Sequence, residues 1–132
     1  PVVTSREPKS ISRETTFERD LDARRDREEL SRILVGLCER VAGDLERKGY
    51  LGRTIGVKLR YADFAIVTRD VTLDRATRDP AAIRDAVRSG LRRIAFDRRL
   101  RLMGVRVGTL VREEDAAHEP AVIASENLPL FG

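Results

Sequence analysis

The sequence predicts an α+β domain, a β-α-β-β-α-β sandwich in which four strands form one sheet, two helices cover one face and the other face stays open. Three observations carry that prediction. Apolar residues recur at helical spacing over two stretches, they alternate with polar residues over the stretches between, and Gly, Pro and Asp mark the changes of period. Each helix must bury its apolar stripe, and the simplest joint solution lays both on one side of an antiparallel-type sheet.

Residues 1–8 (PVVTSREP) read as a linker, short, polar and closed by Pro8. Residues 9–18 (KSISRETTFE) hold Ile, Thr and Phe in an extended run, the first strand. From Asp26 the period changes. Leu30, Ile33, Leu34, Leu37, Val41 and Leu45 fall on one face of a long helix. Asp26 and Glu29 have the spacing of a capping box, and Lys48-Gly49 supplies a basic last turn and a stop. Cys38 and Ala42 lie beside the stripe, so Cys38 reads as a small core residue and not as a reactive thiol.

In residues 54–61 (TIGVKLRY) the apolar Ile55, Val57, Leu59 and Tyr61 alternate with Thr54, Gly56, Lys58 and Arg60. That pattern is a strand with one buried face and one positively charged face. Asp63 sits in a short turn, and residues 65–73 (AIVTRDVTL) return as the second strand of a hairpin. Asp79-Pro80 then opens the second helix, Asp as cap and Pro at the first position. Its buried stripe is Ile83, Val87, Leu91 and Ile94, with Arg84, Arg88 and Arg92 on another face. Residues 101–111 (RLMGVRVGTLV), rich in β-branched side chains, form the last strand. Residues 113–132 turn acidic and small, a flexible tail.

Composition narrows the function. The chain has 132 residues, enough for one domain, with 41% hydrophobic residues but 5% aromatic ones and no Trp, so its core is aliphatic. It begins at Pro1, which suggests a fragment or a processed product. One cysteine cannot form an internal disulfide, no apolar run approaches the ~20 residues of a membrane span, and no secretory leader is visible. A cytoplasmic protein without a membrane partner is expected. Charge is unevenly spread. Residues 1–52 hold 11 basic and 11 acidic side chains, residues 53–112 hold 15 and 6, and residues 113–132 hold none and 5. A middle of net +9 is the footprint of a polyanion binder, and the open face carrying Lys58, Arg60 and Arg106 is where that charge would act.

Three segments, KSISRETTF at 9–17, GRTIGVKLRYADFAIVTRDVTL at 52–73 and RLMGVRVGTL at 101–110, resemble the C-terminal little finger domain of Y-family translesion polymerases of the DNA polymerase IV type. The resemblance covers residues 9–111 in order and spacing. It implies a domain at 9–112 that grips primer-template duplex DNA through the sugar-phosphate backbone, without reading sequence, in the same parent chain as a catalytic core. Backbone N–H groups, hydroxyls and guanidinium groups suit that task because phosphates carry no base code. Carried over by position, the implied DNA contacts are Lys9, Ser10, Ser12 and Arg13, then Lys58 and Arg60, then Thr68 and Arg69, and last Arg101 and Arg106. The first strand lacks clean alternation, which leaves open which of Ser10, Ser12 and Arg13 faces DNA. Leu102 stands where the family often has a second basic residue.

Residues 126–131 (ENLPLF) resemble the clamp-binding motif of bacterial polymerases, which implies the sliding clamp (beta subunit) as a partner. Leu130 and Phe131 would enter an apolar pocket, Leu128 would pack beside them, Pro129 would restrict the free chain, and Asn127 stands where Gln is usual. The resemblance also implies Mg2+ in the parent polymerase, with no cofactor in this domain. No catalytic constellation is legible here. Asp20 and Asp22 approach a helix start, where the helix dipole accounts for them, and His118 has no partner at metal-ligand spacing.

Three rival readings remain. An RNA-recognition module needs aromatic side chains on the open face, and Tyr61 falls in the buried register. A ferredoxin-like regulatory or dimerisation domain would make the basic face incidental, and a small hydrolase of that fold would want an Arg-Asn constellation that the chain lacks, its one Asn being Asn127.

Overall fold

The structure, a computed structural model, describes residues 8–116. Its elements are β1 (Ser10–Leu21), α1 (Arg27–Lys48), β2 (Tyr50–Tyr61), β3 (Ile66–Thr77), α2 (Pro80–Leu91), β4 (Leu100–Arg112) and one helical turn, α3 (Glu113–Ala116). The β-α-β-β-α-β order holds. The sheet runs β1-β4-β2-β3, all neighbours antiparallel, so the last strand slots between the first and second.

Register fixes the two faces. Val57 lies opposite Val105 on β4 and Arg69 on β3, and Val105 lies opposite Arg13 on β1. This odd-numbered register points at the helices. A Cβ on Gly90 of α2 would lie 3.3 Å from Val57 Cγ1 and 3.5 Å from Arg69 Cβ, while Arg13 bonds Asp44 of α1. Both helices therefore share one face, as expected. Ile55, Val57, Leu59, Met103, Val105 and Val107 from the sheet meet Leu30, Leu34, Leu37, Val41 and Leu45 from α1 and Ile83 and Val87 from α2 in one aliphatic core.

Local chemistry explains the element ends. Gly49 closes α1 at φ 78°, a left-handed conformation costly for a residue with Cβ, and its N–H donates to the Glu46 carbonyl at 3.2 Å. Asp79 caps α2 as expected, its carboxylate accepting from the Ala81 N–H at 3.0 Å. The capping box at Asp26 does not form. The Asp26 side chain makes no cap bond; it accepts from the Asp22 N–H at 2.8 Å and from Arg19 at 3.0 Å, and Glu29 also bonds Arg19, at 3.2 Å. The Arg19 guanidinium and the Asp22 N–H take up the carboxylate oxygens that a cap would use. Asp22 in turn accepts the Arg24 and Arg25 N–H groups, which holds its carboxyl below the usual range.

Strands run longer than the alternation alone marks, because β2 starts at Tyr50, β3 continues to Thr77 and β1 continues past a register shift after Thr16. Ile94 lies beyond α2, in the following turn, and is still buried. Cys38 is buried in the core, and burial pushes its thiol up to about 12, which suits a packing role. Among the described residues, no helix is long and apolar enough to cross a membrane. Residues 113–116, expected to begin a loose tail, instead continue as a helical turn. The Glu113 N–H donates to the Gly49 carbonyl and its side chain meets Arg78. Most of the linker, the tail beyond residue 116, His118 and Asn127 to Phe131 lie outside the described residues.

Candidate nucleic-acid interface

The even-numbered register forms the uncovered face as four rows of four. Across β1, β4, β2 and β3 they read Ser10-Gly108-Thr54-Thr72, Ser12-Arg106-Gly56-Asp70, Glu14-Gly104-Lys58-Thr68 and Thr16-Leu102-Arg60-Ile66. Six of the ten residues carried over by resemblance sit here: Ser10, Ser12, Lys58, Arg60, Thr68 and Arg106. Hydroxyls sit on β1, β2 and β3 and cations on β2 and β4, so the face offers both short and long donors.

The floor is glycine. Gly56 and Gly104 lie at the base of a shallow depression walled by Ser12, Glu14, Lys58, Thr68, Asp70 and Arg106. Within it Arg106 meets Asp70 at 3.4 Å and Lys58 meets Glu14 at 3.2 Å. All four side chains are between 36% and 52% exposed, so these pairs stay in contact with solvent. Beside the depression, Arg60 is half-buried and its Nε is buried without a hydrogen-bond partner. A buried guanidinium donor left unpaired is costly, and the Nε of Arg84 on α2 is in the same state. Leu102 and Ile66 flank it in the same row, an aliphatic strip where the resemblance leads one to expect more charge.

The other four residues lie elsewhere. Lys9 precedes β1 and is exposed. Arg13 is on the helix side of β1, where its guanidinium grips Asp44 of α1 at 2.7 and 3.0 Å. Asp44 is the buried charged residue among those described, 5% exposed, and Arg13, joined by Arg47, holds its carboxyl below the usual range. Arg69 also faces the helices, donating to the Arg93 carbonyl at 3.3 Å and the Thr68 carbonyl at 2.7 Å. Arg101 sits at the register shift between β2 and β4. It lies over the Phe64 ring at 4.8 Å and 3.9 Å from Asp20, at the turn end of the sheet.

No aromatic side chain occupies the four rows. Tyr61 is buried, its hydroxyl donating to the Ala95 carbonyl at 2.6 Å, and Phe64 is exposed in the β2–β3 turn at φ 73°. The stacking platform that an RNA-recognition module needs is therefore missing from the described face. Sequence reasoning missed Glu14 and Asp70 as members of this face. Their strand positions were readable, but their meeting with Lys58 and Arg106 depends on cross-strand register.

The model of the impB/mucB/samB family C-terminal domain matches residues 8–120. The chain is 38% identical over 112 residues to a DNA polymerase IV of Desulfatibacillum aliphaticivorans, covering 84% of this chain and 28% of that protein. It is 42% identical over 102 residues to a DNA polymerase IV of Methanoculleus marisnigri, covering 77% and 28%. The chain thus spans less than a third of the length of these relatives. Its fold is similar to that in a complex of the beta-clamp processivity factor and the little finger domain of PolIV, with TM-score 0.63 at 20% identity, covering 88% of this chain and 98% of that one.

Proposed function

The chain belongs to the impB/mucB/samB family as its C-terminal domain, and on that premise we propose that it is the DNA-gripping little finger of a translesion polymerase of the DNA polymerase IV type. Its open face takes the sugar-phosphate backbone of primer-template duplex. Lys58, Arg60 and Arg106 meet phosphates, and Ser10, Ser12 and Thr68 donate hydroxyls between them. Lys9, Arg13, Arg69 and Arg101 take peripheral or structural roles. The observation that carries this reading is the uncovered sheet face itself, where Lys58, Arg60 and Arg106 stand among Ser10, Ser12 and Thr68 with no base-stacking aromatic in the four rows. Such a face recognises charge and spacing and not sequence.

The parent chain would be a DNA-directed DNA polymerase, with catalysis in the part that this chain does not span, and it would work in the cytoplasm. In this reading magnesium serves that catalytic part, as the resemblance implies. The acidic segment from 113 would tether the motif Asn127 to Phe131, which docks on the sliding clamp while the sheet holds DNA. Two weak contacts joined by a tether hold better than either alone.

Fluorescence anisotropy with a short labelled primer-template duplex tests the grip. Contact with about four to six phosphates gives log K falling with log[salt] at a slope of roughly −4 to −5, with no preference between unrelated sequences. A flat salt dependence, or strong selection of one sequence, overturns the reading.

A further inference from the structure

Two rows of the open face repeat one arrangement. In the first, Arg106 on β4 and Asp70 on β3 stand on either side of Gly56; in the second, Glu14 on β1 and Lys58 on β2 stand on either side of Gly104. Each ion pair spans a strand by lying across its glycine, at 3.4 and 3.2 Å. A side chain at either glycine would run into its ion pair's carboxylate residue as it now lies. A Cβ on Gly56 would lie 2.4 Å from Asp70 Oδ1, and one on Gly104 would lie 2.9 Å from Glu14 Cβ. Glycine weakens a strand interior and marks a close approach, so the sheet gives up strand propensity at two central positions to seat these pairs.

Stability does not account for that cost, because half-exposed ion pairs contribute little. Their placement does something else. Both carboxylates sit within the depression that Ser12, Thr68, Lys58 and Arg106 line, where a phosphate would make its contacts. We propose that Glu14 and Asp70 are built-in competitors of the DNA phosphates, holding Lys58 and Arg106 over the glycine floor until a phosphate displaces them. This deepens the DNA-gripping reading and rests on it. Each cation that joins a phosphate must leave a carboxylate, and each carboxylate then stands beside a phosphate of the same sign. The result is a grip weaker than the cations alone would give and quicker to release, as suits a domain that must follow a moving primer terminus.

Anisotropy titrations at several salt concentrations test this with Asp70→Asn and Glu14→Gln, each alone and combined with Arg106→Ala and Lys58→Ala respectively. Asp70→Asn is expected to tighten duplex binding roughly three- to fivefold near 0.1 M salt and to steepen the salt slope by up to about one unit. In the Arg106→Ala background the gain vanishes, because no cation is left to release. Glu14→Gln behaves likewise against Lys58→Ala, which keeps the test independent of any one variant's folding. Glu46→Gln, which removes one charge from the exposed face of α1, leaves affinity within about twofold, since charges beyond a Debye length are screened. A gain that persists without the cation, or no gain at all while the wild type still binds duplex in a salt-dependent way, overturns the competition and leaves the DNA grip standing. A wild type that shows no salt-dependent binding overturns both.

Discussion

On the helix side of the sheet, Ile55, Val57, Leu59, Val105 and Val107 are each no more than 1% exposed, while one residue along the same strands the chain carries Thr54, Gly56, Lys58, Gly104 and Arg106. The first set is what packing energy selects: branched aliphatic side chains that fill the space beneath two helices. The second set is poor material for a strand. Glycines weaken it, and long cations contribute no core. The difference teaches that two interleaved registers answer to separate requirements, one to folding and the other to a ligand. Substitutions should therefore separate the two faces, stability falling from one and binding from the other.

The largest effect belongs to the packed face. Leu59→Ala removes a fully buried side chain at the centre of the sheet and should cost about 2–5 kcal/mol, read as a shift in urea midpoint with unchanged slope. A smaller loss comes from the polar contact that ties β1 to α1. Arg13 bonds hold the Asp44 carboxyl below its ordinary value of 3.8. A carboxyl lowered on folding stabilises above its unfolded-state value, and that contribution disappears as pH falls through the folded-state value. Asp44→Asn should therefore lower the urea midpoint at pH 7, less than Leu59→Ala does, with the difference from wild type shrinking toward pH 3. A difference that grows in acid would mean that the ion pair is not what Asp44 supplies.

A third substitution adds a contact that belongs to neither face. Burying a Phe side chain contributes roughly 1.5–3 kcal/mol, so Phe131→Ala in a peptide of residues 124–132 should weaken sliding-clamp binding at least about tenfold from a micromolar affinity. The same change in the whole chain should leave duplex binding unaltered. Calorimetry on the two peptides decides it, and no detectable heat from the intact peptide refutes the clamp reading.

Much of this was legible in the sequence where burial dictates the pattern. In β2 the strict alternation of Ile55, Val57, Leu59 and Tyr61 assigns every side chain to its face, and the stripe of α1 and the Asp79-Pro80 start of α2 behave as their chemistry requires. The edge strands were harder. β1 buries Ile11 and Leu21 but carries Arg13 and Thr15 toward the helices, so polar residues occupy both of its registers and alternation cannot tell Ser12 from Arg13. Edge strand β3 has the same ambiguity at Arg69, whose helix-side position comes from its pairing with Val57 and its bond to the Arg93 carbonyl. Strand order was the missing information. Neither the Glu14–Lys58 pair, 44 residues apart, nor the Arg106–Asp70 pair, 36 apart, follows from local spacing: the first depends on β4 lying between β1 and β2, the second on β2 lying between β4 and β3.

The smallest effects belong to the open face, and they divide it from mere net charge. Arg60→Ala removes a guanidinium already set into the face with its Nε unpaired, and Arg106→Ala removes one that must first leave Asp70. Each should weaken duplex binding and reduce the magnitude of the salt slope by about one unit, because one fewer phosphate is neutralised. Arg60 should matter more, since its contact displaces no carboxylate. Arg88 supplies the control: it carries the same charge on the exposed side of α2, in the layer behind the sheet, and Arg88→Ala should change the slope little. None of these three side chains belongs to the aliphatic core, so urea midpoints should stay close to wild type while affinities diverge. If all three arginines cost the same affinity, the DNA is held by diffuse charge around the whole domain, and the contrast between the faces fails as an account of function. If only Arg60 and Arg106 lower the slope, the register that folding leaves unused is the one that binds.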